Sequence, residues 1–162
     1  MKTLTLLRHA KSERDSPDGS DFARSLSDRG CADAKRMGEE MRRLKLRFDL
    51  VLASPARRAV ETVEQAGELS ARYDARIYNA STRQLLDIVR STDDSVESLL
   101  IVGHNPGIEQ LAAQLAAIGL EKFPTGALAE FRLSVDHWRD VKRGSGRLTR
   151  FVKPKDIVST SS

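Results

Sequence analysis

Three short apolar runs constrain this chain more than any other feature: TLTLLR (3–8), DLVLAS (49–54) and LLIVGH (99–104). Each has the length of a strand and little polar alternation, which suits a strand buried on both faces of a sheet. Helical periodicity fills the gaps between them. Ala34, Met37, Met41 and Leu44 recur at steps of three and four across a helix over about 28–46, with Ser27 as its cap. Pro55 opens a second helix that carries Ala59, Val60, Val63, Ala66 and Leu69 on one face. A weak strand at 76–78 and a short helix at 82–90 precede the third run, and Ile108, Leu111, Ala112 and Leu115 mark the helix after it. The segments ALAEFRLSV (127–135) and RLTRFV (147–152) read as two more strands joined through 136–146. Strands alternating with helices predict an α/β chain, a three-layer α/β/α sandwich around a mostly parallel central sheet. No linker divides it, so one domain is expected over 1–158, followed by a short polar tail at 159–162.

Chemistry gathers where these runs end. The first ends in Arg8-His9, the second in Ser54-Pro55 with Arg57 and Arg58 just beyond, and the third in Gly103-His104-Asn105-Pro106. In open α/β sheets ligands sit beyond the carboxyl ends of the parallel strands, so two of the three histidines and two or three arginines converge on one edge. Ser54 and Asn105 read as N-caps, with Pro55 and Pro106 at the first helical positions. The helix starts would then turn free amides and the positive ends of their dipoles to the same edge. Histidines, arginines and helix starts together describe an anion site suited to tetrahedral phosphate.

Other chemistries fit less well. Two histidines beside arginines are a poor cation site, because zinc needs a third ligand and the only cysteine, Cys31, lies on a helix. There is no GxxxxGK[ST] and no GxSxG. One cysteine excludes an internal disulfide and fits a reducing compartment, and the N-terminal KTLTLL is far too short for a signal peptide or a membrane span. A cytoplasmic protein is expected, with no membrane partner. The formal charge of +4 is modest, although residues 141–155 hold six basic residues and no acidic one. That stretch reads first as a solvated edge hairpin guarded by its cations. With few aromatics and no recognition motif, nucleic acid is not an expected partner.

The motifs LLRHAKS, SPARRAVET and IVGHNP, in this order, resemble the histidine phosphatase superfamily, which includes the cofactor-dependent phosphoglycerate mutases. Its first motif is usually Arg-His-Gly. The RHAKS found here, with DFARSLSDRG (21–30), YNASTRQLL (78–86), PTGALAEF and FVKPKDI, is closer to the small SixA-type phosphohistidine phosphatases. The resemblance implies a phosphoglycerate mutase-like fold and a metal-independent phosphatase without a cofactor. It makes His9 the nucleophile that takes the phosphoryl group, with Arg8, Arg58 and His104 holding the phosphoryl oxygens. Arg58 is chosen over Arg57 by the pattern Ser-Pro-x-x-Arg-Ala-x-x-Thr. Arg24, Ser12 and Asn105 are implied as further phosphate or substrate contacts.

One part of the pattern is missing. Larger relatives use a carboxylic acid to protonate the leaving oxygen, but Asn105 follows His104 and RIYNAS puts Asn79 where an acid would be convenient. Asp15, Asp18 and Asp87 remain as candidates. An alkoxide leaving group needs that proton, whereas a phosphohistidine ring, protonated near pH ~6–7 by analogy with histidine, can leave as neutral imidazole. The expected substrate is therefore phosphohistidine on a signalling protein such as a phosphotransfer domain, met by a shallow pocket on a monomer. The alternatives are a phosphatase for small phosphoesters, or an inactive phosphate-binding or interaction module.

Overall fold

The first apolar run forms strand β1 (Lys2–Arg8), whose residues Leu4 to Leu7 are fully buried. The computed structural model describes residues 1–119 and 122–157. The other runs form β2 (Leu50–Ala53) and β4 (Ser98–Gly103), separated in sequence by the short β3 (Ala71–Tyr73). The C-terminal hairpin supplies β5 (Leu128–Leu133) and β6 (Gly146–Val152). Together they make one sheet in the order β3-β2-β4-β1-β5-β6, parallel from β3 to β1 and antiparallel from β1 to β6. The parallel register sets Leu7 opposite Val102 and Ala53 opposite the same Val102, which brings the carboxyl ends of β1, β4 and β2 level.

Two helices cover each face. Helices α1 (Asp28–Arg43) and α2 (Arg57–Ala66) bury Met37, Met41, Ala59 and Val63 against Leu7, Val51, Leu100 and Val102. On the other face α3 (Thr82–Arg90) and α4 (Gly107–Ala116) bury Leu85, Ile88, Ile108 and Leu111 against Leu4, Leu6, Leu99 and Ile101. Alternate residues of the central strands feed opposite layers, because successive side chains of a strand point to opposite faces. This is the expected three-layer α/β/α sandwich with a mostly parallel sheet.

Local expectations met different ends. Ser27 caps α1, its side chain accepting from the Gly30 amide, and α3 spans the expected 82–90 with Ser81 in a reciprocal capping box. The weak strand at 76–78 is absent. Residues 75–77 form a 3₁₀ turn, and the edge strand lies earlier at 71–73, where pairing to β2 was available. Neither Ser54 nor Asn105 is an N-cap: α2 follows Ala56 and α4 follows Pro106, so Pro55 and Pro106 precede the helices. Leu69 lies beyond the end of α2. The basic 141–155 stretch holds β6, an edge strand paired only with β5. The tail at 159–162 lies outside the described residues, and among those described no helix is long and apolar enough to cross a membrane.

Candidate functional site

Arg8 and His9 emerge at the end of β1, held between two neighbours. The His9 amide donates to the Gly103 carbonyl at 3.0 Å and the Arg8 amide to the Ala127 carbonyl at 3.1 Å. Gly126 turns beside them with φ of 76°, and its amide donates to the carbonyls of both Arg8 (3.1 Å) and His9 (2.9 Å). A side chain there would adopt a backbone region that suits glycine, and its Cβ would come within 2.9 Å of Pro154 Cγ. The Ala10 amide donates to Thr62 Oγ1 at 3.0 Å, and that hydroxyl donates to the Arg58 carbonyl at 2.7 Å. One α2 threonine therefore ties the segment carrying His9 to the turn carrying Arg58.

The ring of His9 is buried, and its Nδ1 lies 2.7 Å from the Ala10 carbonyl. A carbonyl only accepts, so Nδ1 carries the proton and Nε2 keeps a lone pair. Arg58 Nε donates toward that Nε2 at 3.4 Å. Burial pushes the His9 pKa down to about 3, with His104, Arg58 and Arg8 adding to the effect and the Ala10 carbonyl working against it. Neutral imidazole with its lone pair on Nε2 is the nucleophilic form of histidine.

His104 stands with its ring centroid 5.0 Å from that of His9. Its Nε2 lies 2.8 Å from Ser54 Oγ, which also accepts from the Ala56 amide at 3.2 Å. Ser54 Oγ has one proton and a second lone pair, so it can serve Nε2 in either tautomer of the ring. The ring's Nδ1 is buried and makes no hydrogen bond to a described residue. Burial, then Arg58, lowers the His104 pKa to about 4, which keeps the ring neutral.

A cavity of about 880 Å³ opens over these groups and is lined by Arg8, His9, Ser12, Arg24, Arg58, His104 and Asn105. All seven expected site residues are thus brought to one hollow. Arg58 is buried, while Arg57 is half-exposed and paired with Glu61 at 3.3 Å. Arg8 donates through Nη1 to the Phe123 carbonyl at 3.0 Å, and its Nε has no described partner. Asn105 donates to the same carbonyl at 3.0 Å, and its Oδ1 accepts from the Glu109 amide. Arg24 donates to Ser12 Oγ at 3.1 Å.

Sequence reasoning missed two residues here. The Asp21 carboxylate accepts from Arg58 Nη2 at 3.0 Å, from Arg24 Nε at 3.1 Å and from the Tyr78 hydroxyl at 2.7 Å. The Tyr78 hydrogen bond, followed by those from Arg58 and Arg24, outweighs partial burial and holds the Asp21 pKa at about 2. Tyr78 also packs edge-on against His104, with ring centroids 5.7 Å apart, and Phe22 packs edge-on against Tyr78 at 5.1 Å. Asp21 opens the quoted DFAR motif, but nothing local says that a loop residue will reach across to α2. Asp15, Asp18 and Asp87 do not line the cavity; the Asp18 carboxylate is occupied in its own turn by Ser16 and Ser20. The third histidine, His137, pairs with Asp94 at 2.8 Å, away from the site. Among the described residues no group of three His, Cys, Asp or Glu is placed to hold a metal.

The chain is similar to known proteins over most of its length. The model of the histidine phosphatase superfamily (branch 1) matches residues 4–81. An uncharacterized protein of Mycobacterium tuberculosis is 37% identical over 161 residues, covering 92% of this chain and 100% of that one. The phosphohistidine phosphatase SixA of Escherichia coli is 28% identical over 123 residues, covering 68% of this chain and 71% of its own. A solved structure of the protein histidine phosphatase SixA complexed with tungstate shares the fold, with a TM-score of 0.83 at 24% identity over 96% of this chain and 99% of that one.

Proposed function

The chain belongs to the histidine phosphatase superfamily, and we propose that within it this protein removes the phosphoryl group from phosphohistidine on another protein. One observation carries the choice of substrate. Two carboxylates line the cavity, Glu13 and Asp21, and the one bonded to Arg58, Asp21, is held ionised by Tyr78, Arg58 and Arg24. An acid with a pKa of about 2 has no proton to give an alkoxide near neutral pH. A protonated phosphohistidine ring needs none.

In the proposed reaction the His9 Nε2 lone pair attacks phosphorus while the substrate's P–N bond breaks. The bonding pair returns to the substrate ring, which already carries a proton on its other nitrogen and leaves as neutral imidazole. The Ala10 carbonyl holds the Nδ1 proton of phosphorylated His9 and stabilises the charge on that ring. Arg8, Arg58 and His104 take the phosphoryl oxygens, supplying the positioning and charge neutralisation that phosphoryl transfer demands. Water then attacks phosphorus, the P–N bond to His9 breaks with its electron pair returning to Nε2, and the water's proton passes to the departing phosphate. Ser12, Arg24 and Asn105 line the approach as substrate contacts. On this reading residues 1–158 are one phosphatase domain that needs no metal for the chemistry. The relative in Escherichia coli named a phosphohistidine phosphatase supports the same substrate class.

The test is a comparison of single-turnover rates on a phosphorylated histidine phosphotransfer domain and on an alkyl phosphate, for the wild type and His9→Ala. The reading expects fast release from the protein, slow release from the ester, and loss of both in His9→Ala. Equal rates on the two substrates would restore the small-phosphoester alternative. Turnover by His9→Ala equal to the wild type would refute the mechanism.

A further inference from the structure

A basic hollow of about 310 Å³ adjoins the reactive cavity, lined among others by Arg29, Asp33, Lys122, Thr125, Lys153 and Lys155. Thr125 lines both hollows. The wall between them is thin: Gly126 bonds to the backbone of Arg8 and His9 on one side and packs against Pro154 on the other. Three separate chain segments, the start of α1, the approach to β5 and the turn after β6, deliver four cations to this one place against a single lining carboxylate. That carboxylate, Asp33, is engaged by Arg36 at 2.6 Å and by Arg29 at 3.8 Å. Gathering like charge from distant segments works against the fold, and an oppositely charged partner relieves it.

We propose that this hollow docks an acidic face of the protein whose phosphohistidine enters the neighbouring cavity. The inference rests on the phosphohistidine reading above and adds to it the means of choosing a partner. The reactive cavity itself grips a phosphoryl group and a ring, which every phosphohistidine protein presents alike. Charges at the rim of an interface act on encounter rate and selectivity, which suits a transient enzyme–substrate contact. A nucleic acid fits less well, because no aromatic side chain lines the hollow for a base to stack on.

The test pairs Lys122→Glu with Lys155→Glu, two exposed residues outside the reactive cavity, so that folding is not at stake. Rates are measured on a phosphorylated histidine phosphotransfer domain of acidic surface and on free phosphohistidine. The proposal expects kcat/KM on the protein to fall by about tenfold or more, with a flatter dependence on salt. Turnover of free phosphohistidine should stay as in the wild type. Equal rates of the variant and wild type on the protein would overturn docking while leaving the phosphatase reading intact, as would equal losses on both substrates. Failure of the wild type on both substrates would overturn the phosphatase reading and docking with it.

Discussion

Ser54 Oγ lies 2.8 Å from His104 Nε2 and accepts the Ala56 amide at the same time, which ties the ring to the start of α2. We expect the serine to donate to Nε2, which sets the ring's own proton on Nδ1. Ser54→Ala should release that choice of tautomer. We expect kcat on a phosphohistidine protein to fall by roughly tenfold, less than the loss of about 10²–10³ for removing a charge-stabilising donor outright in His104→Ala. Nitrogen chemical shifts of the His104 ring check the cause: the wild type should show an Nδ1–H tautomer and Ser54→Ala a mixture. An unchanged tautomer would give the serine a merely structural role.

On the proposed reading Asp21 positions Arg58 and donates no proton. Asp21→Asn should therefore keep activity on phosphohistidine within about tenfold of the wild type, below the 10²–10⁴ typical of a lost general acid. The same change should lower the Tyr78 pKa, because the Asp21 carboxylate is what raises it. Ultraviolet titration of Tyr78 reads the second effect. A loss above about 10³-fold, with a changed basic limb in the pH–rate profile, would make Asp21 the acid.

The two buried histidines give stability a pH dependence of predictable sign. Their folded pKa values, about 3 for His9 and about 4 for His104, lie below the ordinary 6.5. Between these values and 6.5 the unfolded chain binds more protons, so stability present above pH 6.5 is lost as pH falls through the window. At pH ~5 the loss is about 2 kcal/mol for each histidine. Urea unfolding at pH ~7.5 and ~5 should show a smaller difference for His9→Gln/His104→Gln than for the wild type. Ring carbon shifts should show both histidines neutral at pH ~5, and a midpoint near 6.5 for either would contradict the burial argument.

Gly126→Ala should cost about 1–2 kcal/mol of stability, from the left-handed backbone and the contact with Pro154. Its amide also holds the carbonyls of Arg8 and His9, so kcat should fall as well. Denaturant midpoints and single-turnover rates on one preparation measure the two effects. An unchanged midpoint would show that the turn relaxes without strain.

Much of the fold is legible in local pattern. The runs at 3–8, 49–54 and 99–104 are apolar because their strands are covered on both faces, and the helices between them keep a period that survives without neighbours. Level carboxyl ends follow from parallel pairing, which is why the sequence alone brings His9, His104 and the Arg57-Arg58 pair to one edge. The caps were less legible: Ser54 has the chemistry of an N-cap, yet its hydroxyl bonds a buried histidine 2.8 Å away.

What the sequence by itself determined is the set of groups that each strand end delivers. Only the tertiary structure decided which groups lie between them. Asp21 and Tyr78 are 57 residues apart and sit in loops, where no periodicity fixes direction. Their meeting depends on how the 10–26 segment crosses the open edge of the sheet, and so does the ionised state of Asp21. A hydrogen bond is decided over about 3 Å. Local sequence specifies the direction of a strand, but not that distance across a loop.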